Sequence, residues 1–124
     1  AELIEVACFW AGLKNIETKD DNGKSQEPHR PSKVYHYIQS RSLTPDFYVD
    51  ISDVYEQRTE AYKAYKSQLF DPESSEPETY ISSPDFFTLL EARAREFGNR
   101  IGVKYAEGFL TKGFLGVDDL GHLL

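Results

Sequence analysis

The sequence predicts an α/β fold, in which helices and strands alternate along a chain of 124 residues. Three observations favour this class. Apolar residues recur at helical spacing in several segments, β-branched and aromatic residues concentrate in short runs between them, and Gly or Pro residues separate the segments. Such a mixture packs as layers, in an α/β or an α+β arrangement. The length accommodates one small domain.

The first part of the chain alternates a helix, a loop and two strands. Residues 2–13 are predicted to form an apolar helix that ends near Gly12 and, having few polar positions, is buried on more than one side. Residues 17–28 are polar and contain an Asp-Asn-Gly turn signal, which predicts a surface loop. Alternating patterns predict strands at 34–38 and 47–51.

A second helix is predicted to follow. Asp53 and Glu56 have the spacing of a capping box, and a predominantly apolar stripe that includes Arg58 continues from there. The helix should end near Phe70, because a proline follows closely. Residues 71–84 contain three prolines and no periodicity, and a connection of that length inside a compact domain is usually functional or mobile.

The last part predicts a third helix and a third strand. Ser83 is the expected N-cap, Pro84 the first helical residue and Gly102 the end. The expected buried positions are Phe86, Leu90, Ala94, Phe97 and Ile101. Residues 103–110 are predicted to form a short strand or an extended arm, and 111–124 a tail with a helical turn at 118–124. Strands so few and short do not make a self-contained sheet of normal size, which predicts part of a larger domain.

Composition and charge exclude several classes of partner. The net charge of -7 and pI near 4.9 argue against nucleic acid, because phosphate binding needs clustered Lys and Arg, and against anionic membranes. No apolar run reaches the length of a membrane span. A single cysteine, Cys8, excludes an internal disulfide. These features predict a cytoplasmic protein.

The start of the chain indicates a piece of a longer protein. Methionine is absent, and Ala1 opens directly into the apolar helix without a capping residue. The alternative is removal of an initiator methionine, which a small residue such as Ala permits.

No catalytic group or metal site is predicted within this chain. His29, His36 and His122 do not have the spacing of zinc ligands. Cys8 lies between apolar neighbours and is expected to be a small buried hydrophobe. Neither a Gly-x-Ser-x-Gly elbow nor a Gly-rich phosphate loop occurs, and the paired carboxylates lie in polar segments where they are expected to be solvated.

Three polar features stand out from this background. Arg30 lies between two prolines just before a predicted strand. It either takes part in a functional site or binds nearby carbonyls in a stiff turn. Ser67-Gln68 either serves a site or caps a helix end. Glu107 is flanked by small and aromatic residues, where a carboxylate is costly unless paired; the structural alternative is a salt bridge to Arg93, Arg95 or Arg100.

Several segments, in their order along the chain, point to a known family, and the most specific are Ala64-Tyr65-Lys66-Ser67-Gln68 and Tyr105-Ala106-Glu107-Gly108-Phe109. Together they resemble the C-terminal half of the LmbE/PIG-L family of zinc-dependent N-acetylglucosaminyl deacetylases. Arg30-Pro31 followed by Val34-Tyr35-His36-Tyr37-Ile38 resembles the family's aromatic strand, and Val49-Asp50-Ile51-Ser52 its next strand and turn. The likeness covers nearly the whole chain and is closest to the bacillithiol-biosynthesis branch, which deacetylates N-acetylglucosaminyl-malate.

The resemblance implies a fold and an activity. It implies that 1–124 is the C-terminal part of a Rossmann-like, three-layer deacetylase domain, inactive by itself, whose zinc is held by the missing N-terminal half. In the family a His-Pro-Asp-Asp motif and a later histidine pair hold zinc and supply the base; neither motif occurs here, so no catalytic residue carries over. Arg30 and Glu107 become candidate substrate-side or supporting residues, loop 71–84 a rim or lid, and the protein a trimer or hexamer.

A second class of function remains open. The chain could be a non-catalytic oligomerisation or ligand-binding module derived from the same fold, which predicts a complete core and cooperative unfolding. The almost wholly apolar first helix argues against it. A separate enzyme that uses a carboxylate pair has no sequence pattern in its favour beyond the abundance of Asp and Glu.

Overall fold

The structure, a computed structural model, describes residues 2–39, 41–65, 68–69, 77 and 79–124. Its elements are α1 (Glu2–Trp10), β1 (Tyr35–Tyr37), β2 (Phe47–Asp50), α2 (Tyr55–Lys63), α3 (Phe86–Ile101) and β3 (Ala106–Thr111), with 3-10 turns at Ser52–Val54 and Leu120–His122. The strands form one sheet in the order β1-β3-β2. Strands β2 and β3 are antiparallel. The predicted α/β class is confirmed. None of the helices within these ranges is long and apolar enough to span a membrane.

The chain divides into two compact units. Unit 1 comprises Ala1–His36 and Leu110–Val117, and unit 2 comprises Tyr37–Phe109 and Asp118–Leu124. Unit 1 contains α1 and the polar loop. Unit 2 contains β2, α2, α3 and most of β3.

The core of unit 2 forms around α3. Ile51, Ala94 and Tyr105 are buried together, and the ring of Tyr55 stacks on that of Tyr105 with centroids 3.8 Å apart. The predicted positions of α3 are confirmed as buried: Phe86, Leu90, Ala94 and Phe97, whereas Ile101 is half-buried. Gly102 ends the helix, as predicted, with φ of 77°, a conformation that glycine adopts without steric cost.

The start of α3 differs from the prediction by a few residues. The helix begins at Phe86, with Asp85 at the N-cap position and no side-chain capping bond. Ser83 instead begins a turn, because its hydroxyl accepts from the Asp85 N–H at 3.3 Å and its carbonyl accepts from the Phe86 N–H at 3.1 Å. Ser83 therefore forms a turn two residues before the N-cap position.

The predicted capping box of α2 is wrong. Asp53 lies inside the 3-10 turn, and the helix begins at Tyr55 without a side-chain cap. The carboxylate of Asp50 performs the local bonding, because it accepts from the Ser52 N–H at 2.8 Å and from the Ser52 hydroxyl at 2.6 Å. The helix ends at Lys63 rather than near Phe70, and Phe70 lies outside the described residues.

Helix α1 is much more exposed than predicted. It ends at Trp10 and none of its residues is buried. Leu3 is 79% exposed and Trp10 is 55% exposed. The physical reason is that the described part of the chain provides no apolar layer over this face, so the pattern that predicts burial finds no partner here.

The loop and strand predictions in the first part hold. Asp20 accepts through Oδ1 from the N–H groups of Asn22 at 2.9 Å and Lys24 at 3.0 Å, and Gly23 adopts φ of 78°, which closes the predicted turn. Val34 and His36 are half-buried while Tyr35 and Tyr37 are exposed, as the predicted alternation requires. Half of 71–84, namely 71–76 and 78, lies outside the described residues. The tail contains the expected turn at Leu120–His122.

Candidate functional site

Glu107 lies in β3, with its carboxylate half-buried. Residue Val49 of β2 is its backbone partner in the sheet. Its Oε1 accepts from Nη2 of Arg58 at 3.2 Å, and the two side chains are 28% and 18% exposed. An ionised carboxylate in such a position needs a cation or several donors to offset its lost hydration. Arg58 of α2 provides that cation.

The predicted salt-bridge partners of Glu107 are wrong. Arg93 donates to the carbonyl of Gln39, and Arg100 pairs with Glu96. Arg95 pairs with Glu91 and also donates to the Tyr105 hydroxyl at 3.1 Å. The α3 arginines are engaged at other places, and the partner comes from a different helix.

Arg58 was not among the site residues predicted from the sequence. Its guanidinium carbon lies 5.0 Å from the centre of the Tyr62 ring, a cation–π contact one helical turn away. The signal was present in the sequence, because Arg58 is a cation on the predicted, mainly apolar stripe of α2. A cation on such a stripe requires a partner, and its identity depends on the tertiary fold.

Glu107 and Arg58 line a small pocket of unit 2 together with Arg93. The pocket has a volume of about 10 Å³, and its remaining wall is largely apolar. A volume of that size holds about one water molecule. The arrangement presents the Glu107 carboxylate as a hydrogen-bond acceptor to the Arg58 guanidinium, in a pocket that Arg93 also lines. It has no room for a larger ligand.

The neighbours of Glu107 in the sequence have structural reasons for their identity. Tyr105 is buried in the stack with Tyr55, and Ala106 is 1% exposed. A side chain at Gly108 would place its Cβ 2.4 Å from Cγ of Pro45, so only glycine fits there. Glu107 is the residue of the segment whose identity packing alone does not require.

Arg30 contacts a distant segment of the chain, and its role at a substrate site stays a prediction. Its Nη2 donates to the carbonyl of Phe9 at 3.4 Å, and its guanidinium carbon lies 4.5 Å from the centre of the Phe9 ring. Gly12 permits this position, because a Cβ there would lie 2.7 Å from Cβ of Arg30. Arg30 thus contacts the end of α1. It belongs to unit 1, whereas Glu107 belongs to unit 2.

Unit 1 contains a polar cluster that the sequence did not reveal. Glu5 binds Nε2 of His36 through Oε1 at 2.8 Å, and it pairs with Nζ of Lys112 through Oε2. The Glu5 and His36 side chains are 22% and 21% exposed. The hydrogen bond from Lys112 lowers the pKa of Glu5, partial desolvation opposes this, and His36 adds to the lowering. No local spacing could have predicted the cluster, because Glu5 and Lys112 are 107 residues apart.

Among the described residues, Gln68 and Cys8 belong to neither arrangement. Ser67 lies outside the described residues, and the N–H of Gln68 donates to the carbonyl of Tyr65 at 3.0 Å. Cys8 is half-buried. Within the described ranges, no group of three or more His, Cys, Asp or Glu side chains could hold a metal ion.

Comparison with known proteins shows a likeness of fold. No protein-family model matches the chain. The chain is similar to the crystal structure of the conserved protein TT1542 from Thermus thermophilus, with 28% sequence identity and a TM-score of 0.70. The match covers 94% of this chain and 45% of that protein, so this chain spans about half its length. The name of that protein states no activity or ligand.

Proposed function

We propose that this chain is the C-terminal part of a zinc-dependent hydrolase that removes the acetyl group from an N-acetylglucosaminyl conjugate, N-acetylglucosaminyl-malate being the preferred candidate. The observation that carries the proposal is the ordered series of segments that resemble the LmbE/PIG-L deacetylases, ending in Tyr105-Ala106-Glu107-Gly108-Phe109. The α/β class and the coverage of only 45% of the Thermus protein are consistent with it. The proposed protein is a cytoplasmic trimer or hexamer.

In this proposal the zinc ligands lie in the other part of the protein. Bound there, zinc would lower the pKa of its water to about 7 and so supply a hydroxide for the acetamide carbonyl. The products are acetate and the free amine. This chain would extend the sheet and build part of the cleft wall, with Glu107, paired with Arg58, supporting the substrate side of the cleft.

The exposed apolar face of α1 supports the proposal that a further part of the same protein covers it. Leu3, Phe9 and Trp10 are each more than half exposed on one short helix. Exposed apolar surface of this kind usually marks an interface, because burying it removes apolar area from water. The proposed occupant is the metal-binding half of the same protein. Binding by another protein partner would instead favour the non-catalytic module.

The test begins with the reading frame upstream of Ala1. We expect it to encode a His-Pro-Asp-Asp segment and a later histidine pair, and the full-length product to hold zinc and release acetate from N-acetylglucosaminyl-malate. Glu107→Gln should lower kcat/KM without loss of zinc, whereas Glu96→Gln on the exposed face of α3 should not. A start codon directly before Ala1 would exclude the catalytic proposal and favour an assembly or binding module.

A further inference from the structure

Unit 1 contains a pocket separate from the small pocket at Glu107. Its volume is about 350 Å³, and its wall includes His36, Glu5 and Lys112 together with Lys33, Tyr35 and Phe114. A volume in this range is that of a small-molecule site. All of these residues belong to unit 1.

The polar wall is assembled from distant parts of the chain. Glu5 comes from α1, His36 from β1 and Lys112 from the residue after β3. The Glu5–His36 contact is about four-fifths buried at both side chains, so it costs hydration that a fully exposed ion pair does not. A surface contact between a helix and a strand does not require such a costly charged cluster. Its presence favours a role in binding a ligand in the pocket.

The wall provides more donors than its own acceptor can use. An ammonium has three N–H donors, and the contact of Lys112 with Glu5 uses one of them. Protonated imidazole donates from both nitrogens, so His36 can bind Glu5 through Nε2 and a ligand through Nδ1. Lys33 adds a second ammonium. Glu2 also acts on Lys112 and partly offsets this charge.

Aromatic rings complete the pocket. Tyr35 is 42% exposed and Phe114 is fully exposed, although both border the pocket. A ligand that covered these rings would remove apolar surface from water while its charged end met the lysines.

We propose that this pocket binds a small organic anion, with its acidic group on Lys33, Lys112 and His36 and its apolar body against Tyr35 and Phe114. Glu5 positions His36 and Lys112 for that contact. The proposal is independent of deacetylation, because none of the residues invoked belongs to the small pocket at Glu107.

The first test measures binding to the full-length gene product by calorimetry and ligand-observed NMR. Benzoate and inorganic phosphate are the probes. We expect benzoate to bind and Lys33→Ala or Lys112→Ala to raise its Kd by about tenfold, the effect of losing one charge-assisted hydrogen bond. Lys24→Ala removes the same charge from the polar loop outside the pocket and should leave the Kd unchanged.

The relative affinities identify the source of the anion. Tighter binding of benzoate than of phosphate indicates that the natural ligand is a carboxylate with an apolar body, as proposed. Tighter phosphate, still dependent on Lys33 and Lys112, supports an anion site but overturns the assignment of the apolar body to the aromatic rings. If neither probe binds, or if the pocket variants and Lys24→Ala behave alike, the proposal is wrong.

A substitution of His36 separates its binding role from a structural one. His36→Gln removes the imidazole from the wall of the pocket, and we expect the Kd for benzoate to rise. Urea unfolding of the same variant should show that it stays folded. An unchanged Kd in the folded variant would overturn the role given to His36.

Discussion

At the scale of single residues, the fold decides which cation pairs with each carboxylate. Glu107 needs a cation, as the sequence indicates, but it takes one from α2 at a separation of 49 residues rather than from the neighbouring α3. Arginines at i, i+4 spacing from a glutamate find partners on their own helix, as Arg95 and Arg100 do. In the described part of the chain, Arg58 has no glutamate four residues away on its own helix, and it pairs with Glu107 instead.

Removal of Arg58 should destabilise the protein through Glu107. Arg58→Ala leaves a half-buried carboxylate without its cation, and we expect a loss of about 1–3 kcal/mol in the free energy of unfolding. Urea denaturation measures it. Adding Glu107→Gln should recover part of the loss, because the neutral amide costs less to bury. Arg100→Ala, which breaks an exposed pair, is the matched control and should change little. Equal losses in Arg58→Ala and Arg100→Ala would contradict the pairing.

Glu5 should make stability depend on pH on the acidic side. Lys112 lowers the pKa of Glu5 in the folded state below its ordinary value of 4.5, so the unfolded state takes up the proton first. The contribution of Glu5 is then fully present above about pH 4.5 and is lost as the pH falls through its folded pKa. Stability curves of the wild type and Glu5→Gln should converge at low pH. Parallel curves across the whole range would show that the Glu5 pairings do not contribute.

At the scale of elements, α3 shows how far periodicity leads. Its repeat of three and four residues predicts four buried side chains correctly, because one face of a helix is a property of spacing alone. The helix begins at Phe86 rather than at the predicted position, because Ser83, Asp85 and Phe86 form a turn by their own hydrogen bonds. Ends of helices depend on such competing local bonds.

Two adjacent leucines in α3 test the burial pattern. Leu90 is 6% exposed, and Leu90→Ala should cost about 2–5 kcal/mol, because it removes buried methyl groups and leaves a cavity. Leu89 is 48% exposed, and Leu89→Ala should remain within about 0.5 kcal/mol of the wild type. Thermal or urea unfolding gives both values. Similar costs at the two positions would mean that α3 is rotated about its axis.

Gly102 provides a backbone test at the end of the same helix. Gly102→Ala forces a Cβ into the left-handed region, which costs L-residues about 1–2 kcal/mol. Gly113→Ala is the control, because a Cβ there meets open space and the φ of Gly113 is not in that region. Unfolding free energies of the two variants give the comparison, and a stabilised Gly102→Ala would rule out the left-handed end.

At the scale of the whole molecule, α1 is an apolar helix with no buried residue. Its residues are apolar, yet Leu3 and Trp10 lie mostly in water. Sequence periodicity indicates that a face must be covered, but it does not specify the covering surface. The match to 45% of the Thermus protein makes a further part of the same protein the proposed cover.

Dye binding should distinguish the two functional proposals. The 124-residue chain alone should bind a hydrophobic dye, and Leu3→Glu with Trp10→Glu should reduce the signal, whereas the full-length product should bind little. Lys14→Glu, at a polar exposed position just after α1, serves as the control for added charge. Cooperative unfolding of the isolated chain without dye binding would favour the self-contained module over the deacetylase part.

The sequence by itself determined the α/β class, the positions of all three strands, the buried face of α3 and the glycine that ends it. These features depend on residue spacing and on backbone preferences that act over a few residues. The tertiary structure decided that Arg58 pairs with Glu107, that Glu5 joins His36 to Lys112, and that Arg30 contacts the end of α1. Such pairs lie far apart in the chain, and an isolated charge indicates only that a partner is required. The choice of partner depends on which surfaces the fold brings within hydrogen-bonding distance.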